Sequence, residues 1–213
     1  RPLDWTLDLL LRRLGERGRE LGRVLGFLSV LRVPIPAADL DTFHADALSP
    51  DLRGLLERAI LFGDPDGLRL HPVLVDYVRR KLSPDSLHDV HLVAASYHRM
   101  RFDRARAAVT IEPAVRHELE VLYHRTEAGD VALLDDHALW FSEQYVGLGR
   151  ALSHAGRRHE AVRAYDRAVE HDDANAYAHH YLAWNLDVDA VDPPRVEKHY
   201  LRATEIEPSH AWY

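Results

Sequence analysis

Apolar residues along the chain recur mostly at helical spacing. Leu21, Val24, Leu25, Leu28 and Leu31 fall at i, i+3, i+4 and i+7, which predicts an amphipathic helix over residues 19–32 stopped by Pro34 and Pro36. Before it, residues 4–15 are apolar on most faces and predict a short helix, punctuated by Gly15 and Gly18. A second short helix is expected over Ala37–Phe43. A third follows Ser49-Pro50 over residues 51–61, with Leu52, Leu55, Leu56, Ala59 and Ile60 inward. Two short apolar runs then flank Pro65-Asp66-Gly67, which predicts a β-hairpin over Leu61–Leu70. His71-Pro72 opens a helix through Leu74, Val75, Val78 and Leu82, and Ser83-Pro84-Asp85 opens a long one to residue 102. A linker is expected near Asp103–Pro113, and a further helix over residues 114–128 closes at Ala128-Gly129-Asp130.

From Ser142 to Pro208 the pattern repeats. With Ser142 as position one of a 34-residue frame, Tyr145, Leu148, Gly149, Leu152, Ala161, Tyr165 and Ala168 fall at positions four, seven, eight, eleven, twenty, twenty-four and twenty-seven. Asp173 stands at position thirty-two, where proline is usual. A second copy carries Leu182, Ala183 and Leu186 in phase. It needs one inserted residue near Asp192-Pro193-Pro194 before Val196, Tyr200, Ala203 and Pro208 fall into place. This succession of large, small and aromatic positions resembles the tetratricopeptide repeat, in which two antiparallel helices lock together. Residues 142–175 and 176–209 are the two repeats, and 114–141 reads as a degenerate helix pair before them.

The earlier half carries a second resemblance. Residues 24–36 (VLGFLSVLRVPIP), 54–61 (GLLERAIL) and 68–77 (LRLHPVLVDY), in the order helix, helix, helix, hairpin, helix, resemble the winged-helix module of the STAND ATPases, the NB-ARC-like signalling switches. The fold expected is therefore mainly α: an N-terminal helix over 1–18, a winged helix with one short β-hairpin and a trailing helix over 19–102, and a tetratricopeptide-type α-solenoid over 103–213. In that family the module follows a nucleotide-binding domain and precedes a repeat sensor. The resemblance implies that this chain is a fragment of a longer switch, with the nucleotide domain elsewhere in the parent.

Composition narrows the functional classes. Apolar residues make up 46% of 213, enough for a packed core. No run of about 18 apolar residues predicts a membrane span, and no signal peptide is visible, so a cytoplasmic setting is expected. Cysteine is absent, which removes disulfides and thiolate metal sites. The net charge of −7 divides into 19 basic against 22 acidic residues before Ser142 and 8 against 12 after it. Neither half is basic, which argues against a nucleic-acid binder. The candidate recognition helix, residues 51–61, sets Arg53 and Arg58 against Asp51 and Glu57, and ranks a DNA-binding regulator last.

Candidate chemistry is sparse. No G-x-x-x-x-G-K-[ST] loop is present, so the fragment is expected not to be an enzyme and to hold no cofactor, with ADP or ATP bound by the parent. The resemblance implies that His71 reaches the β-phosphate of ADP in the off state; the plainer reading is a histidine capping a hairpin-to-helix junction. His117, Glu120 and His124 could share one helix face, which suits zinc. Without an H-E-x-x-H the expectation is packing or solvated histidines and no metal. The basic cluster His98–Arg106 reads as a solvated helix end.

The groove is the strongest candidate. Inner-helix positions of the two repeats carry Glu143, Val146, Gly147, Arg150, Ser153 and His154, then Tyr177, His180, Tyr181, Trp184, Asp187 and Val188. Arg150, His154, Tyr177, His180, Tyr181 and Trp184 are the expected partner-binding residues, because aromatics and cations in a groove are common anchors. The function expected is a regulatory and sensor fragment. The winged helix restrains the nucleotide domain in cis, and a protein or peptide trigger on the repeats shifts the switch towards an open form able to oligomerise. The alternatives are a plain tetratricopeptide scaffold and, last, a transcriptional regulator.

Overall fold

The computed structural model describes residues 9, 12, 16–36, 38–39, 61–64, 67–130, 134–188 and 192–209. Helix is the dominant element: α1 (Glu16–Val30), α2 (Pro72–Lys81), α3 (Pro84–Ala107), α4 (Ile111–Glu127), α5 (Leu134–His154), α6 (Arg158–His171), α7 (Ala176–Val188) and α8 (Pro193–Ile206). Between α1 and α2 lie two strands, β1 (Leu61–Asp64) and β2 (Gly67–Leu70). No described helix is long and apolar enough to cross a membrane. Contacts divide the chain into two units, residues 1–99 with 120–129, and residues 100–119 with 130–213.

In the first unit α1 buries Leu21, Val24, Leu25, Phe27, Leu28 and Val30. The helix ends at Val30, so Leu31, which continues the sequence periodicity, lies beyond it and is only half-buried. The hairpin pairs Leu61 with Leu70 and Asp64 with Gly67. Ile35 adds an isolated bridge on the far side of β2, exchanging two hydrogen bonds with Leu68 at 3.1 and 2.8 Å. That approach requires glycine at position 67: its φ is 136°, and a Cβ there would stand 2.5 Å from the Ile35 carbonyl oxygen. Residues 51–60 of the expected recognition helix lie outside the described residues, as do most of Ala37–Phe43, of which only 38 and 39 are described, in a 3₁₀ turn.

In the second unit α5 packs on α6, α7 on both, and α8 on α7. The frame drawn from the sequence opens a repeat at Ser142, whereas α5 begins at Leu134 and carries Ser142 in its middle. The stretch expected as a linker, 103–113, is the last turn of α3, a tight turn and the first turn of α4. The physical reason is a shared turn. Thr110 N–H bonds the Ala105 carbonyl, and Arg157 N–H bonds the Leu152 carbonyl, each at 2.9 Å. The residue before the donor is left-handed in both, Val109 at φ 53° and Gly156 at φ 74°. Gly129 is left-handed too, at φ 74°, after α4. Sequence reading recognises the glycine turns and passes over the valine one. The core joins Tyr145, Leu148, Leu152, Ala161, Tyr165, Ala168, Leu182 and Ala183, each at most 1% exposed. Phe102 meets Phe141 and Tyr145 edge-on, with centroids 5.1 and 5.6 Å apart.

Candidate partner-binding face and buried histidine cluster

Helix α7 separates its two faces by residue type. Ala178, Leu182, Ala183 and Leu186 are buried, while Tyr177, Trp184 and Val188 are 43, 44 and 45% exposed. With Tyr181 these form the series i, i+4, i+7, i+11, one stripe down the helix. Tyr181 is half-buried because its ring stacks on Tyr165 at 5.7 Å. The Arg150 guanidinium lies 5.7 Å from the centroid of Tyr181, so α5 brings a cation to the same stripe. His154, one turn on, is exposed. Ser153 Oγ donates to Asn185 Oδ1 at 2.9 Å and Asn185 Nδ2 donates to the Tyr181 carbonyl at 2.8 Å, which ties α5 to α7 beneath the stripe. His180 sits between two rings, its centroid 5.4 Å from Tyr181 edge-on and 5.9 Å from Tyr200 of α8.

His71 is exposed and caps α2, with its Nδ1 accepting from Val73 N–H at 3.3 Å ahead of Pro72 at the first helical position. Beside this junction a cleft of about 330 Å³ opens between α1, β2 and α2, lined by Arg32, Val33, Leu70, Pro72, Val75 and Asp76 among others. His71 is not among its lining residues.

Among the described residues, two buried polar clusters lie away from the α7 stripe. In the second unit, Glu118 is fully buried and accepts hydrogen bonds from Tyr145, Arg167 and His171. Burial pushes its carboxyl up, but the His171 and Tyr145 hydrogen bonds and the His171 and Arg167 charges outweigh that and hold it below the ordinary carboxylate range. Burial, then the Glu118 charge, raises the Tyr145 phenol. Every Glu118 oxygen is engaged, which marks a structural network.

In the first unit, α3 and α4 face each other with histidines. His91 Nδ1 lies 2.9 Å from His124 Nδ1, and both rings are buried. His98 stacks on His124 with planes 8° apart and centroids at 5.5 Å. Glu120 takes three hydrogen bonds from Arg32, at 2.8, 3.2 and 3.2 Å. Its Oε2 stands 4.0 Å from His124 Nε2. That nitrogen is fully buried with no hydrogen-bond partner. The donor atoms of His98, Glu120 and His124 lie within 4.8 Å of one another. The sequence grouped Glu120 and His124 with His117 along one helix; the fold groups them with His98 of the neighbouring helix instead. Only the pairing of α3 with α4, which no spacing rule supplies, could have revealed it.

No protein-family model, no curated protein and no solved structure matches this chain.

Proposed function

We propose that the chain is the regulatory and sensor part of a STAND-type switch. Its helical pairs act as tetratricopeptide repeats that bind a protein or peptide trigger, and its first unit acts as a winged helix restraining an ADP- or ATP-holding domain of the parent. The observation that carries the binding half is the exposed stripe Tyr177, Trp184 and Val188 on a helix whose opposite face is closed, with Tyr181 and Arg150 alongside. Two large aromatic side chains held outward by a rigid helix are costly to hydrate and ready to anchor a partner. The restraint half rests on the order of α1, hairpin and α2, and on the Leu70-His71-Pro72 step at the helix start.

Selection of displayed peptides on the whole chain tests the binding half. Enriched peptides should lose about thirtyfold in affinity on Trp184→Ala, the equivalent of roughly 2 kcal/mol. They should be indifferent to Leu201→Ala, an exposed leucine of α8. Binding that survives both Trp184→Ala and Tyr177→Ala would overturn it.

A further inference from the structure

The histidines between α3 and α4 present a donor set that the proposed switch does not use. His98 and His124 are fully buried and Glu120 is 4% exposed. Packing alone gives no reason to put two imidazoles and a carboxylate together, since an unsatisfied buried polar atom costs roughly 1–3 kcal/mol. His124 bears that cost, because its Nε2 has no partner and points towards Glu120 Oε2 at 4.0 Å.

We propose that His98, Glu120 and His124 form a site for a borderline divalent cation, Zn²⁺ foremost, with His91 orienting His124. Two imidazole nitrogens and one carboxylate oxygen are the donors that select zinc, cobalt or nickel over magnesium and calcium. Three protein ligands leave a fourth position for water. Ligand atoms around tetrahedral zinc stand about 3.4 Å apart given bonds near 2.0–2.1 Å. Small side-chain rotations bring donors now within 4.8 Å to that spacing.

His91 completes the arrangement. Facing Nδ1 atoms at 2.9 Å hold one proton between them. When His124 donates it, its Nε2 becomes a lone pair turned to the metal, the second-layer hydrogen bond that metal-binding histidines commonly make. Arg32 is the competitor. It shares the Glu120 carboxylate, yet its side chain is 48% exposed and can swing into solvent as the cation enters.

Calorimetric titration of zinc alone into the whole chain tests the site, with Co²⁺ absorption as a second readout of a tetrahedral nitrogen and oxygen environment. One tight equivalent is expected. It should be lost in His98→Gln and in Glu120→Gln, and weakened about 10–100-fold in His91→Gln. Arg32→Gln strips Glu120 of its counter-charge and should melt lower without metal, then gain more from added zinc than the parent chain does. This variant keeps all three ligands and so keeps the test open if a ligand variant fails to fold. The proposal is overturned by no tight equivalent, by an equivalent unchanged in His98→Gln and Glu120→Gln, as exposed histidines would give, or by an Arg32→Gln chain whose melting ignores zinc.

Discussion

The ring of Tyr165 lies directly against the backbone of Gly149: a Cβ at 149 would stand 2.6 Å from Cε1 and 2.7 Å from Cζ. Both residues are buried, where α5 packs on α6. Gly149→Ala should therefore cost about 2 kcal/mol by overpacking. Gly147, two residues earlier on the same helix, has open space around a built Cβ. Gly147→Ala should raise stability by up to about 1 kcal/mol from helix propensity. Urea midpoints of the two variants should move in opposite directions, and a shared sign would reject this account of the interface.

Val109 is a β-branched residue at φ 53°. The left-handed region costs an L residue roughly 1–2 kcal/mol, and glycine avoids that cost. The turn is otherwise held by backbone hydrogen bonds, and the Val109 carbonyl accepts from Arg157 Nη1 at 2.7 Å, all of which glycine retains. Val109→Gly should leave the melting temperature unchanged or higher, a rare result for removing an aliphatic side chain. A drop of several degrees would show that the valine side chain contributes more than its backbone costs.

Trp184 and Leu182 share α7 but not its face. Leu182 is fully buried, so Leu182→Ala should cost about 2–5 kcal/mol. Trp184→Ala should change stability by less than about 1 kcal/mol while removing partner binding. Thermal melts of the two variants separate a surface anchor from a core residue.

Acid should loosen the second unit through His199. It packs against His179, Nδ1 to Nδ1 at 2.8 Å, with Asp173, Arg195, Lys198 and Arg202 as the charged groups around the pair. Burial, then the charges of His179, Arg195 and Lys198, pushes His199 down to about 4. A depressed histidine binds its proton more readily unfolded than folded. Stability is therefore full above about pH 6.5 and declines as pH falls from there towards 4, by on the order of 2 kcal/mol. Denaturation midpoints across that window should fall, and His199→Gln should flatten the slope by about one proton. An unchanged slope would remove the pair from the titration.

How far the chain was legible depended on how local each cause was. The hairpin could be read because Pro65-Asp66-Gly67 is a turn signal between two apolar runs, with Gly67 opening β2, and α6 and α8 because their apolar positions keep one period. The start of α5 at Leu134 could not, because the repeat frame is anchored on Tyr145, Leu148 and Gly149 and carries no information upstream of them. The stripe of Tyr177, Tyr181 and Trp184 was legible once that frame was set. His180 was assigned by the same frame; its ring meets Tyr181 and also Tyr200 of α8, and the second contact depends on how α8 packs. The His98–Glu120–His124 trio depends on two helices meeting at one level. Glu120 and His124 are visible four apart; the third member is 22 residues back along the chain.

The turns at Val109 and Gly156 leave no slack. Each passes from one helix to the next with the same hydrogen bond from the third turn residue back into the helix it leaves. Adding or removing one residue there would roll the following helix by about 100°, carrying Ile111 and Ala114 of α4, or Ala161 and Ala168 of α6, away from the core they fill. Length changes at these joints should be as damaging as a charge placed in the core. The joint before Asp192 differs, since Asp192 starts a fresh cap by accepting from Arg195 N–H. A linker, tag or second domain spliced into this protein belongs at that joint.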